Sequence, residues 1–226
     1  MKASVAELAR LPGVWRGGEL EHALQPVVAT GHDALDRELP GGGWPTGTLT
    51  EVLHDTMGIG EVSFLAGALA RAGGDDRLIA WIDPPHLPYA PALAQSGLAL
   101  ERCLVVRPVH RDDALWAAEQ AMRSGACGAV LFWLAHDEYA WLRRLQMAAE
   151  AGRAMAVLFR STAVERLSTP AHLRVVVASD EGALDIRIPK RRGPPLVSPI
   201  TLRIGRPVPV ASAVLAPTRP VLVAVS

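Results

Sequence analysis

A single α/β domain is the fold class this sequence predicts: a mostly parallel sheet with helices on both faces and antiparallel strands toward the C-terminus. Three observations predict it. Between residues 48 and 160, apolar runs of strand length alternate with stretches of helical period, the pattern βαβ units produce. Most of those runs are continuously apolar, as strands buried on both faces must be. After residue 170 the spacing shortens to two strands joined by a polar turn, as in an antiparallel pair.

The elements follow in order. Met1 to Arg10 reads as a short amphipathic helix, with Glu7 and Arg10 where a signal peptide would be apolar. Thr48-Leu49-Thr50-Glu51-Val52-Leu53 is the first core strand. Leu65, Leu69 and Ala72 share one face of the helix that follows. Arg77 to Asp83, Leu104 to Val106, Ala129 to Leu134 and Met155 to Phe159 are the next apolar strands. Between them, Leu115, Ala118 and Met122 mark one helix, with Asp112 or Asp113 placed to cap it. Trp141, Leu145 and Ala148 mark another. His172 to Ala178 and Leu184 to Ile188 flank the turn Ser179-Asp180-Glu181-Gly182. The second of these alternates apolar and charged residues, so one face is expected to be wet. A last strand lies near Ile200 to Ile204. The tail from Gly205 is rich in proline and valine, which limits it to extended structure. The chain thus divides into an N-terminal helix with a Trp-Arg segment (1–27), the core (28–204) and a flexible Pro/Val-rich tail (205–226).

Composition narrows the function classes. With 226 residues and 50% hydrophobic content, one sizeable core can be buried. A formal net charge of zero gives no global basic field for nucleic acid. No run approaches the roughly 20 apolar residues of a membrane span. Cys103 and Cys127 match no metal spacing and read as reduced core thiols of a cytoplasmic protein. The pairs His32-Asp33, His54-Asp55 and His136-Asp137 fall at turns and caps, where aspartate is common. No metal or other cofactor is expected.

His54-Asp55-Thr56-Met57-Gly58-Ile59-Gly60, between a strand and a helix, has the layout of a phosphate-binding loop. Glycines there let backbone N–H groups wrap an anion. Such a loop also needs a lysine and a hydroxyl after its last glycine, to hold the outer phosphates and magnesium. Those positions are Glu61 and Val62. Two unit charges about 4 Å apart interact by about 4 kcal/mol at an effective dielectric near 20. Exchanging lysine for glutamate removes one such attraction and adds a repulsion, and Val62 offers magnesium no oxygen. An ordinary strand-to-helix turn accounts for the segment equally well by itself.

The preceding segment, Ala29-Thr30-Gly31-His32-Asp33-Ala34-Leu35-Asp36-Arg37-Glu38-Leu39-Pro40-Gly41-Gly42-Gly43-Trp44-Pro45-Thr46-Gly47, resembles the lead-in to RecA-family ATPase cores. The register continues through Trp81-Ile82-Asp83-Pro84-Pro85 and the strand at 129–134, covering roughly residues 28–205. The resemblance implies a RecA-like P-loop-type core with a degenerate nucleotide site. RecA would carry a catalytic glutamate where Pro84-Pro85 stand, and a magnesium-holding aspartate where the strand here ends in Trp133-Leu134. With Glu61 and Val62, that makes three lost parts of the hydrolysis machinery: a pseudo-ATPase, not an enzyme. The two segments corresponding to RecA's DNA loops are short, so a RecA-type filament on DNA is not expected.

Within this group, the Lys-Arg-Arg-Gly near the core's end and Leu11-Pro12-Gly13-Val14-Trp15-Arg16-Gly17 resemble the SOS-response family containing ImuA and SulA, with ImuA favoured. That implies a non-catalytic adaptor in SOS-inducible, error-prone translesion synthesis. Its partners would be an ImuB-like Y-family polymerase relative, an error-prone C-family polymerase and RecA. Two alternatives stand beside it: a SulA-like cell-division inhibitor binding FtsZ, and an active RecA-type ATPase. Trp15, Arg16, Lys190, Arg191, Arg192 and Gly193 are the candidate contacts to partner or DNA. Trp15 could equally pack the first helix on the core, and the basic run could equally be a solvated sheet end. The tail either adds a strand to a partner's sheet or has no role. Trp44, Trp81, Trp116, Trp133 and Trp141 fall on core elements or their edges.

Overall fold

The computed structural model describes residues 26–204 apart from 75, 135–137, 181, 194, 195 and 197. The predicted first helix, Trp15-Arg16, the pair His136-Asp137 and the tail from 205 lie outside the described residues.

Eight strands form one sheet. In chain order they are β3 (Thr48–Leu53), β4 (Leu78–Ile82), β5 (Cys103–Val106), β6 (Cys127–Trp133), β7 (Met155–Arg160), β8 (Leu173–Asp180), β9 (Ala183–Lys190) and β10 (Ile200–Leu202). Their spatial order is β10-β9-β8-β3-β7-β6-β4-β5. From β8 to β5 all neighbours are parallel, while β9 runs antiparallel to β8 and β10 to β9. The α/β class, the mostly parallel sheet and the antiparallel C-terminal strands are therefore as the sequence predicts. Leu184, Ile186 and Ile188 of β9 are buried while Arg187 between them is exposed, which is the one wet face expected there. A two-stranded ribbon of β1 (Val27–Val28) and β2 (Trp44–Pro45) precedes the sheet.

Side chains alternate across a strand, so the continuously apolar strands supply two cores. Val52, Trp81, Leu131, Val157 and Val175 face one side, packed with Phe64, Leu65 and Leu69 from the 3₁₀ turn Ser63–Leu65 and helix α2 (Ala66–Ala72). Leu49, Ala80, Ile82, Val130 and Leu158 face the other. There Leu115 and Met122 of α4 (Arg111–Arg123) and Leu142 and Leu145 of α5 (Tyr139–Gly152) cover them. Burying each of the Val, Leu, Ile, Phe and Met side chains among these is worth about 1.5–3 kcal/mol. Where α5 ends, Gly152 lets two backbones meet: a Cβ there would lie 1.6 Å from the Met122 carbonyl oxygen.

The lead-in segment has a local physical cause. Asp36 of helix α1 (Asp33–Asp36) accepts the Thr30 N–H at 2.8 Å, the Thr30 hydroxyl oxygen accepts the His32 N–H at 2.9 Å, and Leu35 is fully buried. The turn is thus folded onto itself by hydrogen bonds and anchored in the core by leucine.

Several local expectations are corrected. The N-cap of α4 is His110, without a side-chain cap bond; Asp112 and Asp113 sit inside the first turn, where the helix dipole favours them. A short helix α3 (Ala90–Gln95) follows Pro84-Pro85 and was not legible, since none of its residues is buried. Trp116 lies on α4, as expected of a core element, with its side chain 54% exposed at the edge. Both cysteines are free; Cys127 is buried, Cys103 is half-buried, and burial raises both thiols above their ordinary range. No helix among the described residues is long and apolar enough to cross a membrane.

Candidate functional site

Connections leave adjacent strands toward opposite faces: β3 leads to α2 on one side, and β7 leads to the turn Thr162–Val164 on the other. Such a switch opens a crevice at the C-terminal ends of parallel strands. Here a cleft of about 600 Å³ lies at that edge, bounded by His54, Asp83, Pro84, Arg107, Trp133 and Arg160 among others.

The loop from His54 to Val62 borders it. Gly58 (φ +75°) and Gly60 (φ +103°) adopt left-handed backbone, open to glycine without steric cost. Their N–H groups are already taken. Gly58 N–H donates to Glu61 Oε1 and Gly60 N–H to Glu61 Oε2, each at 3.1 Å. The Glu61 carboxylate thus sits, as an internal anion, on N–H groups of the kind that a phosphate-binding loop offers a phosphate. Val62 points its apolar side chain against the core. Asp55 ties the loop's base to the far wall: its carboxylate accepts from the Ser161 hydroxyl and the Thr162 N–H, both at 2.9 Å, and from the Thr162 hydroxyl. These bonds, those from Thr162 first, hold its pKa below the usual carboxylate value.

The two other positions that the resemblance sets against RecA carry apolar groups. Pro84 and Pro85 line the cleft after β4. At the end of β6, Leu134 is buried and Trp133 stacks between Trp81 and Phe159, with ring centroids 6.3 Å and 4.5 Å apart and planes within 13° and 5° of parallel. His54 meets Phe159 edge-on at 5.9 Å. A row of rings therefore crosses the ends of β4, β6, β7 and β3. Magnesium–nucleotide does not fit this donor set: Val62 and Leu134 carry no side-chain oxygen, and Glu61 fills the loop. Among the described residues no group of three or more His, Cys, Asp or Glu could hold a metal ion.

One charged constellation escaped the sequence reading. Glu51, fully buried in β3, accepts from Arg160 Nη1 at 2.8 Å and from Arg174 Nε at 2.7 Å. Arg174 Nη2 also lies 2.6 Å from Glu51 Oε2, without hydrogen-bond alignment. Arg174 Nη1 donates to the carbonyls of Glu165 and Leu167. A carboxylate inside an otherwise uncharged strand, with arginines at the end of one apolar run and inside another, was the available signal. Gln146 was missed as well: its Oε1 accepts the Leu49 N–H at 2.9 Å and the Thr48 hydroxyl at 3.1 Å, pinning α5 to β3.

The basic run is spread out. Lys190 donates to the Thr169 carbonyl at 2.6 Å, Arg191 reaches Glu38, and Arg187 forms a two-pronged bridge with Glu165. Arg192 and Gly193 are exposed. Gly58, Gly60, Glu61 and Val62 lie in one loop, with Glu61 bonded to both glycines, while Lys190 and Arg191 have structural partners of their own.

The family model described as "Cell division inhibitor SulA" matches residues 47–156. The chain is 34% identical to the cell division inhibitor SulA of Edwardsiella piscicida over 92 residues, 41% of this chain and 55% of that one. It is 27% identical to SulA of Pectobacterium atrosepticum over 141 residues, 62% of this chain and 75% of that one. Protein RecA 1 of Myxococcus xanthus is 29% identical over 115 residues, 51% of this chain and 33% of that one. The chain therefore spans little more than half of the first relative and a third of the RecA. Among solved structures, SulA from Pseudomonas aeruginosa matches at 26% identity and a TM-score of 0.43, covering 50% of this chain and 97% of that one. Through its central part the chain is similar to SulA and RecA alike.

Proposed function

We propose that this protein acts by binding another protein, not by hydrolysing nucleotide, and that it is a SulA-like inhibitor of cell division in the SOS response to DNA damage. The observation that carries the non-catalytic part is the Glu61 carboxylate seated on the Gly58 and Gly60 N–H groups. The choice of target follows from similarity to SulA over residues 47–156; on this reading the protein works in the cytoplasm, against FtsZ. The test is FtsZ assembly followed by sedimentation, with and without the full chain. Stoichiometric loss of polymer supports the reading; unaffected assembly with no binding defeats it.

The ImuA-like adaptor, which the sequence placed first, is the second reading. Similarity to RecA favours it, as does the lead-in segment 29–46, which lies ahead of the SulA match. Capture of an ImuB-like partner, a C-family polymerase or RecA, with FtsZ untouched, would select it. An active ATPase predicts micromolar binding of magnesium–ATP by calorimetry, lost on altering Gly60; we expect no heat of binding.

A further inference from the structure

We propose that the cleft at the C-terminal ends of the parallel strands binds an aromatic α-amino acid. Asp83 takes its ammonium, Arg107 takes its carboxylate, and the edges of Trp133 and Phe159 take its ring.

The cleft has the size and lining of a small-molecule site. It measures about 600 Å³, within the roughly 300–1,000 Å³ of pockets that hold such ligands. Pro84, Trp133, Leu134, Phe159 and Val164 give it largely apolar walls. Two carboxylates and two guanidinium groups also line it, those of Asp55, Asp83, Arg107 and Arg160. Asp55 is held by Ser161 and Thr162, and Arg160 by Glu51. Asp83 and Arg107 are in no salt bridge among the described residues.

These two charges are opposite in sign and stand side by side. Ile82 of β4 pairs in register with Val106 of β5, so Asp83 and Arg107 come next on strands about 4.8 Å apart. Their charged groups nevertheless do not meet each other. A simple cation or a polyanion would satisfy one and repel the other. An ammonium and a carboxylate on one carbon satisfy both.

The backbone at Asp83 is itself unusual. Its φ is +51°, a left-handed conformation uncommon outside glycine. Its N–H donates to the Val106 carbonyl at 2.8 Å, and the proline after it is buried, which together hold the turn. Backbone in such sparsely populated regions persists where its surroundings over-determine it, and it collects at ligand clamps.

The aromatic row fixes what lies on the apolar side. Trp133 has Trp81 stacked on one face and Phe159 on the other, and the far face of Phe159 meets His54. With their faces covered, Trp133 and Phe159 border the cleft by their edges. Ring edges carry the positive end of the quadrupole and pair with the face of another ring. An aliphatic side chain offers no such face.

The test is isothermal titration calorimetry of the full chain with L-phenylalanine. Parallel titrations use L-leucine, hydrocinnamate (no ammonium), phenethylamine (no carboxylate) and adenosine. L-phenylalanine should bind one molecule per chain, and L-leucine about fivefold more weakly. Asp83→Asn keeps a residue tolerant of left-handed backbone. It should weaken L-phenylalanine about fivefold or more and leave hydrocinnamate no weaker. Arg107→Gln should weaken L-phenylalanine similarly and leave phenethylamine no weaker. A residue serving only the fold would not sort the two analogues in this crossed way. No heat with L-phenylalanine at millimolar concentration, equal binding of L-leucine, tighter binding of adenosine, or variants that affect both analogues alike overturns the proposal. FtsZ is absent from this experiment, so its failure and the failure of the functional reading are separate results.

Discussion

Removing the charge of Glu51 is the perturbation for which the structure makes its strongest quantitative demand. The side chain is fully buried, and both of its oxygens meet guanidinium groups whose side chains are only 3% and 4% exposed. Glu51→Gln keeps the volume but leaves two buried cations without their counter-charge, and turns an amide toward at least one of them. Breaking a buried ion pair by removing one partner costs about 3–5 kcal/mol. Against a typical total stability of about 5–15 kcal/mol this is a large share. At about 2–4 °C per kcal/mol for a domain of this size, the melting temperature should fall by about 6–20 °C. Urea unfolding followed by circular dichroism and tryptophan fluorescence measures it, with an unchanged slope and a lower midpoint. A double-mutant cycle with Arg160→Met should show strong coupling, since that cation then has no carboxylate to lose. A Glu51→Gln loss below about 1 kcal/mol would refute the reasoning, because the guanidinium groups would then have to be solvated in a way their burial denies.

Three further outcomes follow. Gln146→Leu strands the buried Leu49 N–H and should cost about 1–3 kcal/mol by the same urea assay, without altering the loop at Glu61. Gly152→Ala drives a Cβ into the Met122 carbonyl oxygen at 1.6 Å; the α4–α5 packing must shift, and we expect a loss of several kcal/mol, about that of severe overpacking, read as insoluble or thermally labile protein. His172 has its pKa lowered, by burial first and by Arg192 next. The unfolded chain therefore binds a proton more readily, and stability falls as pH drops below about 6.5 toward the lower folded value. His172→Gln should flatten that slope, and an unchanged slope between neutral and mildly acid pH would contradict it.

How much was legible depended on whether neighbours in sequence were also the interacting partners. Strands such as Met155 to Phe159 announce themselves because burial on both faces demands an unbroken apolar run, and α4 and α5 because Leu115, Ala118 and Met122, and then Trp141, Leu145 and Ala148, repeat at helical spacing. The loop at 54–62 was legible as a glycine turn with the wrong charge. That Glu61 would bond the N–H groups of Gly58 and Gly60 was not, though the contacts span three residues or fewer: side-chain direction depends on the left-handed backbone at both glycines. α3 carried too little buried surface to leave a period. The Glu51–Arg160–Arg174 cluster joins positions more than 100 residues apart, and only parallel pairing of β7 and β8 with β3 makes them neighbours.

The sequence by itself determined the α/β class, the succession of strands and helices, and a glycine-bearing loop followed by Glu61 and Val62 and not by a lysine and a hydroxyl. These are properties of residue type and local spacing, which burial and charge fix without reference to the rest of the chain. Only the tertiary structure decided the strand order, the stacked row of Trp81, Trp133 and Phe159, the buried charge cluster and the cleft at the strand ends. Each arises from which strands hydrogen-bond to which, and that is settled by the joint burial of two sheet faces, which no single segment encodes.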